Sequence, residues 1–436
     1  MDTRTRAIET TGRERVIRPS PTRGIVTAVI LILVVGLAAV RFASTRPTGP
    51  VLPPLTTSTL ERVATLELQL SNRPQDLGVR QELTGLLIQA AAETGNPTYY
   101  QRAESILDEA DMLDPGHPQT MVLEATLALA RHDFQAAVDL ATDLNEQDPF
   151  NSEALVVLVD GQIELGNYNE ATDRLQELLD LRPALPALTR TSYLRELHGD
   201  LPGAEQAMVQ AITAGSRSAF DIAVTTSLLG DLYLKQGDLD RAEARYLDAK
   251  ALNPELLTAA VGQARVAIAR NDFDNAATIL NGVVDRFPEP GALTLLGEVQ
   301  AQLGRATEAQ ESFNTVRVIT RLQQDAGAKV DLELARFASY HGDPAEAVGL
   351  ARAAYADRPT VFAAQVLGWS LYRAGDFAEA AFFAERSLEL GTLDASLLLE
   401  AAVILENSGS LDRAEELRML ARDLDPWYLT LNPDMG

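Results

Sequence analysis

Residues 237–254 read GDLDRAEARYLDAKALNP, and the same pattern recurs as GNYNEATDRLQELLDLRP at 166–183 and as NDFDNAATILNGVVDRFP at 271–288. Each stretch starts with glycine or asparagine, carries an alanine in its first half and ends in proline. Aligning the chain on that alanine gives ten positions that are 33, 34 or 38 residues apart. The ten positions are Ala103, Ala137, Ala171, Ala204, Ala242, Ala276, Ala309, Ala347, Ala380 and Ala414. An interval near 34 residues that persists over ten copies predicts a repeat architecture.

Apolar residues at i, i+3, i+4 and i+7 predict two amphipathic helices in each copy. The recurring glycine falls where the first helix ends, a position that favours a positive φ. The recurring alanine marks a close approach of the two helices, since a bulky side chain there would force them apart. The polar residue after the glycine is a predicted N-cap of the second helix. The predicted caps are Asp200, Asp238, Asp272, Asp343, Asp376 and Ser410.

The fifth copy carries the fullest signature. Its signature residues are Gly230, Tyr233, Gly237, Ala242, Tyr246, Ala249 and Pro254. At this spacing they resemble the tetratricopeptide repeat (TPR) family, and the resemblance extends from residue 84 to about 428. It implies an all-α fold, an α-α superhelix of about ten repeats, with ligands held in the concave groove that the first helices line.

The N-terminal part of the chain contains GIVTAVILILVVGLAAV at 24–40, seventeen residues without a charge. Extended through Arg41 to residue 43, the segment is long enough to span a bilayer. Six arginines precede it and only two follow closely, which predicts a cytoplasmic N-terminus and a body on the other side of the cell membrane. A retained signal anchor is the favoured interpretation, and cleavage after a signal peptide, which would give a secreted protein, is the alternative.

The sequence therefore predicts a single N-terminal transmembrane helix followed by a solenoid. The predicted segments are a cytoplasmic basic tail (1–23), a transmembrane signal anchor (24–43), a Pro/Thr-rich spacer (44–58), an N-terminal capping helix or half-repeat (59–83), the ten-repeat array (84–428) and a C-terminal tail (429–436).

The chain is acidic, with a net charge of −25 over 436 residues. A body this acidic repels nucleic acid, so we expect no nucleic-acid partner. Cysteine is absent, which excludes disulfides, thiol nucleophiles and Cys-ligated metals. Arginines far outnumber the three lysines, as is typical of a GC-rich bacterial source.

No catalytic pattern emerges from the sequence. Three of the four histidines, His132, His198 and His341, fall at the same place beside the turn between two helices, and we interpret them as turn residues. No phosphate-binding loop, HExxH or GxSxG motif occurs. We expect no enzyme activity, no cofactor and no metal.

A binding surface is the remaining prediction. By resemblance, certain first-helix positions face the groove, and in the middle copies these include an acidic set, Asp160, Glu164, Glu196 and Asp231. Aromatic and arginine side chains are the usual hot-spot residues of interfaces. Aromatic and arginine residues at these positions in copies six to nine form a predicted partner-binding groove. Its residues are Arg265, Arg336, Tyr340, Phe362, Trp369, Tyr372 and Arg373. Packing of these rings against the neighbouring copy is the alternative.

Anchor, spacer and array together predict a membrane-anchored scaffold that recruits a protein or an extended peptide on the non-cytoplasmic side. A narrower alternative is an assembly factor of an envelope complex, of the kind found in cytochrome c maturation, secretion or pilus systems. A less favoured alternative is the TPR arm of an enzyme.

Overall fold

The structure, a computed structural model, describes residues 59–94, 96–216, 218–325 and 327–428. These ranges contain 21 α-helices and no strand. The helices are α1 (Thr59–Asn72), α2 (Leu77–Thr94), α3 (Thr98–Leu113), α4 (Pro118–Ala130), α5 (Phe134–Gln147), α6 (Ser152–Glu164), α7 (Tyr168–Leu181), α8 (Leu185–Leu197), α9 (Leu201–Ala214), α10 (Ala219–Lys235), α11 (Leu239–Leu252), α12 (Leu257–Ala269), α13 (Phe273–Val284), α14 (Pro290–Gln302), α15 (Ala306–Asp325), α16 (Asp331–His341), α17 (Pro344–Asp357), α18 (Val361–Ala374), α19 (Phe377–Ser387), α20 (Ala395–Asn407) and α21 (Leu411–Leu424).

The helices after α1 form ten antiparallel pairs, from α2/α3 to α20/α21, which we number one to ten. Helix α1 packs on α2 and covers the N-terminal end of the array. The sequence places the first repeat at residue 84, whereas the first helix of pair one begins at Leu77. Residues 77–83, predicted to belong to the cap, are therefore part of the array, because Leu83 and its neighbours already contribute to the core of that pair.

The turns and caps follow the sequence pattern. Gly237 and Gly375 have φ values of 69° and 90°, and Asn271 takes the same left-handed conformation in the copy that lacks the glycine. Most predicted N-caps accept a backbone N–H of the following helix, and Ser410 is the exception. The capping residues are Asp200, Asp238, Asp272, Asp343 and Asp376.

The ten alanines all lie on the second helix of their pair, and none is more than 3% exposed. The four extra residues of the seventh copy lengthen its second helix, α15, to 20 residues. Those of the fourth copy fall in the connection to pair five and in the longer helix α10. The insertions therefore extend helices and one connection without interrupting the array.

The first helix of each pair lies on the inside of the curved array. First helices of neighbouring pairs contact one another: α4 contacts α6, and α18 contacts α20. Second helices of neighbouring pairs scarcely meet. First helices are therefore more buried than second helices: α18 buries ten of its fourteen residues, and its partner α19 buries only four of eleven. We call the surface formed by the first helices the inner face.

The array also contacts itself after about six pairs. The backbone N–H of Lys329, before pair eight, donates to the carbonyl of Arg131 in the turn of pair two (3.0 Å). The N–H of Val361, at the start of pair nine, donates to the hydroxyl of Tyr168 in pair three (3.1 Å). Thr392, before pair ten, donates to the carbonyl of Leu197 in pair four. We call this line of contacts the seam.

Glycines at the turns of pairs three to five let the seam close. A Cβ on Gly166 would lie 2.9 Å from the carbonyl oxygen of Pro359, and one on Gly237 would lie 2.8 Å from the ring of Pro426. Positive φ values and the close approach of the next superhelical turn therefore require glycine at the same positions.

The predicted transmembrane segment at 24–43, the tails at 1–23 and 429–436 and the spacer at 44–58 all lie outside the described residues. Among the helices that are described, none combines the length and the apolar character needed to cross a bilayer.

Gly262→Ala tests the helix packing. A Cβ on Gly262 in α12 would overlap the ring of Tyr246, which is fully buried and also abuts Gly230. We expect the substitution to destabilise the protein by about 1–3 kcal/mol through overpacking. Gly282→Ala is the matched control, because Gly282 also lies in a helix and its Cβ would meet nothing within 4 Å. It should stabilise the protein by up to about 1 kcal/mol. Urea unfolding followed by circular dichroism measures both, and equal effects would contradict the packing.

Candidate partner-binding face

The acidic set of the middle pairs is neutralised by cations from the next pair. Asp160 on α6 pairs with Arg190 on α8, and Glu196 on α8 pairs with Lys235 on α10. Asp231 on α10 lies 3.6 Å from Arg265 on α12 and accepts a 2.8 Å hydrogen bond from Tyr246. The acids predicted to face a ligand therefore tie neighbouring first helices together.

Glu164, the fourth acid of the set, has its partner across the seam. Its carboxylate lies 3.0 Å from the guanidinium of Arg358, which precedes pair nine, and Arg358 also reaches Glu333 on α16 at 3.4 Å. Arg358 is 4% exposed and also stacks over the ring of Phe134. Burial raises the pKa of Glu164 to about 7 against the opposing effect of Arg358.

A small cavity of about 40 Å³ opens on the inner face of pairs three to five. Its lining combines two ion pairs with an apolar wall. The lining residues are Asp160, Thr189, Arg190, Tyr193, Glu196, Met208, Leu228, Asp231, Leu232 and Lys235. The volume suits a few waters or one small group of a partner.

A buried polar network lies at the C-terminal end of the inner face. Tyr340 on α16 donates to Glu400 on α20, and Gln365 on α18 donates to Glu400 (3.2 Å) and to Ser396 (3.1 Å). Arg336 lies 3.9 Å from Glu400 and is 1% exposed. Burial raises the pKa of Glu400 to about 7. The network links pairs eight, nine and ten through one carboxyl group.

Beside this network, Arg373 lies near aromatic residues and has no carboxylate partner among the described residues. The ring of Trp369 lies 5.8 Å from that of Tyr340 and stacks on that of Tyr372 at 5.2 Å. Burial lowers the pKa of Arg373, and the titratable groups close enough to act on it are the phenols of Tyr340 and Tyr372. The Arg373 Nη1 and Trp369 Nε1 atoms are buried without a hydrogen-bond acceptor in the described structure. Trp369 is itself buried, but the partly exposed Arg373 and Tyr372 beside it suit a carboxylate or carbonyl group that arrives with an apolar neighbour.

The seven predicted groove residues thus fall into three places. Arg336, Tyr340, Trp369, Tyr372 and Arg373 come together on pairs eight and nine, and we call these five the C-terminal cluster. Phe362 packs instead against the core of pairs two to four, across the seam. Arg265 lies apart, beside Asp231.

Exposure divides the seven residues further. Arg336, Tyr340 and Trp369 are 1%, 6% and 2% exposed, so a partner cannot reach them in this conformation. The other four, Arg265, Phe362, Tyr372 and Arg373, remain partly exposed. Partner binding by the groove stays a prediction, and Tyr372 and Arg373 are its accessible members in the C-terminal cluster.

Arg358, Glu333 and Lys329, which take part in the seam, were not among the predicted site residues. No local pattern marks them, because their partners lie elsewhere in the superhelix. The available signal was the number of copies, since ten repeats are enough for one superhelical turn to reach the next. Within the described ranges, no group of three or more histidines and carboxylates is arranged to hold a metal ion.

Comparison with known proteins agrees with the repeat pattern. Family models of the tetratricopeptide repeat match residues 128–188, 227–289 and 261–323. The chain therefore contains tetratricopeptide repeats, which generally bind protein partners.

The cellulose synthase 1 operon protein C of Komagataeibacter xylinus is 24% identical over 231 residues, which are 51% of this chain and 17% of that protein. The chain thus spans only about a sixth of the length of this relative.

Three solved structures resemble parts of the array. A TPR protein of Thermus thermophilus is 22% identical, with a TM-score of 0.39 over 43% of this chain and 99% of the other. One from Parabacteroides merdae is 17% identical, with a TM-score of 0.40 over 56% and 97%. PilW, a type IV pilus biogenesis factor, is 18% identical, with a TM-score of 0.40 over 46% and 92%.

Glu400→Gln tests the buried network through pH. A folded-state pKa raised to about 7 means that the native protein holds a proton that the unfolded chain releases above its usual pKa of 4.5. The contribution of Glu400 to stability is therefore full below about pH 4.5 and falls as pH rises towards and through 7, by an amount on the order of 3 kcal/mol. In the variant, which keeps the acceptor oxygen, the loss of stability between pH 6 and pH 8 should be smaller.

Urea unfolding midpoints at the two pH values measure this difference. The control is Glu385→Gln, because Glu385 is exposed on α19 and should leave the pH dependence unchanged. A slope in Glu400→Gln equal to that of the unaltered protein would contradict the assignment.

Proposed function

We propose that the chain is a non-catalytic, membrane-anchored scaffold whose repeats recruit a protein or extended peptide on the non-cytoplasmic side. The observation that carries the binding proposal is Arg373, a half-buried guanidinium without a carboxylate partner in the described structure, beside the stacked rings of Trp369 and Tyr372. Elsewhere on the inner face, Arg190, Lys235 and Arg265 all have acids beside them.

The chemistry of the C-terminal cluster favours an anionic or carbonyl group of a polypeptide. A guanidinium already desolvated by its own fold gives up little further hydration when a partner oxygen arrives, so the bond it makes is strong. Tyr372 adds apolar surface at the same place, and aromatic residues with arginine are the usual centre of a binding hot spot.

The anchor is proposed from the uncharged run at 24–40 and the arginines that precede it. The Pro/Thr-rich spacer at 44–58 would hold the array away from the bilayer surface, because its prolines favour extended, solvated chain. Both features support a scaffold that works close to the membrane.

Photocrosslinking in cells tests the binding proposal. A photoreactive phenylalanine analogue at position 372 should give a discrete crosslinked product. The same analogue at position 355, on the second helix α17, should not. Arg373→Ala should lower the yield at position 372 by about tenfold, as hot-spot truncations do, with helicity and melting temperature unchanged. Trp369→Ala is unsuitable, because removing a buried tryptophan side chain costs about 3–5 kcal/mol.

Arg352→Ala is the matched control for Arg373→Ala, because Arg352 forms an exposed ion pair with Glu379 on the second helices. The binding proposal would be rejected by equal yields in the two variants, or by equal crosslinking at positions 372 and 355.

Protease accessibility tests the topology. Protease added to spheroplasts should digest the array while leaving a cytoplasmic control protein intact, because the predicted orientation places residues 59–428 outside the cytoplasm. An array that stays uncut while a known outside domain is digested would show the opposite orientation.

A further inference from the structure

The seam is a regular set of contacts between loops and turns. Six hydrogen bonds and ion pairs cross it between residues separated by 193 to 198 positions. In order, the loops that precede pairs eight, nine and ten meet the turns of pairs two, three and four. Pro426, after the last helix, meets Gly237 in the turn of pair five. One superhelical turn is therefore in register with the next.

The seam differs in kind from the interfaces inside the array. Adjacent helices pack along their lengths through apolar cores, whereas no helix of pairs two to five packs extensively on a helix of pairs eight to ten in the described structure. Loops carry the contact instead. The direct bonds across it are hydrogen bonds and ion pairs. Lys329 bonds to residues 131–133 in the turn of pair two, and Arg358, which also pairs with Glu333 on its own side, pairs with Glu164 across the seam.

Some apolar side chains also take part. Val361 and the partly buried Phe362 and Leu390 pack against the core of pairs two to four, and Leu393 packs against that of pairs four to six. This set is small beside the cores within the pairs. Interfaces between folded units that are neither large nor strongly apolar usually allow relative motion.

We propose that the seam is a latch: it opens and closes as one unit while the helix pairs on both sides stay folded. Opening returns Arg358, Glu164 and Glu333 to water, and this hydration offsets much of the lost attraction, so the two states are close in free energy. The movement can be spread over pairs six and seven, because a solenoid changes its pitch through small rotations between neighbouring repeats.

Opening would uncover an edge of the inner face that the chain now covers itself. Phe362 and Leu390 would leave the core of pairs two to four, and the hydroxyl of Tyr168 would lose the N–H of Val361. The latch is a property of the chain without any partner. It goes beyond the proposed function and does not depend on binding at Arg373.

Two backbone amides report directly on the latch. The N–H groups of Lys329 and Val361 donate to acceptors across the seam. The N–H of Ala363 donates to Thr360 in its own segment and is a local control (3.0 Å). Hydrogen exchange of the full chain, read at single-residue resolution, should give similar opening equilibria for Lys329 and Val361, both increased by salt.

Arg358→Glu is the decisive variant, because it places a third carboxylate beside Glu164 and Glu333. We expect exchange at Lys329 and Val361 to accelerate together by about tenfold or more, with Ala363 and the far-ultraviolet circular dichroism unchanged. The radius of gyration from small-angle X-ray scattering should increase. Arg352→Glu is the matched control, because Arg352 forms an exposed ion pair with Glu379, and it should change none of these quantities.

Charge exchange gives the second test. Combining Arg358→Glu with Glu164→Arg should restore protection at both amides, because the pair is rebuilt with reversed signs. If Arg358→Glu does not fold, Arg358→Gln is used instead, since it removes the charge without reversing it and should accelerate exchange at the two amides to a smaller extent. Acceleration confined to Val361, which is close to the substitution, would show local fraying and overturn the latch. Unchanged exchange in both Arg358 variants, or loss of helicity along with the seam, would overturn it too.

Discussion

The close approach of two helices, permitted by alanine at one phase of every pair, is the constraint on which the rest of the structure depends. All ten of these alanines are buried, and the neighbouring glycines continue the contact, as where Gly230 and Gly262 both meet the ring of Tyr246. Because second helices hold close to their own first helices and scarcely meet each other, the array curves with the first helices inside. The inner face, and whatever binds there, follows from that curvature.

Local patterns predicted the helices, the turns and most caps, because each depends on residues within a few positions of one another. The left-handed glycines and the caps at Asp238 and Asp376 are examples. The start of pair one at Leu77 was missed, since the alanine alignment marks only the middle of a repeat. The 38-residue intervals show that the fourth and seventh copies are longer but not where the extra residues lie, and the structure places them in longer helices and one longer connection.

The side-chain environment of the inner face was less predictable. Periodicity shows which way a residue points, but not what the next pair places over it. Trp369 and Arg336 are therefore of the residue types typical of a binding surface, although pair ten and its neighbours cover them. Likewise, the sequence pattern did not show which cations pair with the acidic set. These cations come from the following pair or, for Glu164, from across the seam. The seam itself depends on rotations accumulated over six pairs, which no short stretch of sequence encodes.

The seam also determines how the molecule would respond to force. In an open solenoid, a pull on the two ends passes through every helix pair in series, so the weakest pair yields first. Here the ties at Lys329, Arg358 and Thr392 connect pairs two to four directly with pairs eight to ten. Tension would bypass pairs six and seven until the ties give way. We therefore expect the array to resist extension under small forces and to lengthen abruptly once the ties break.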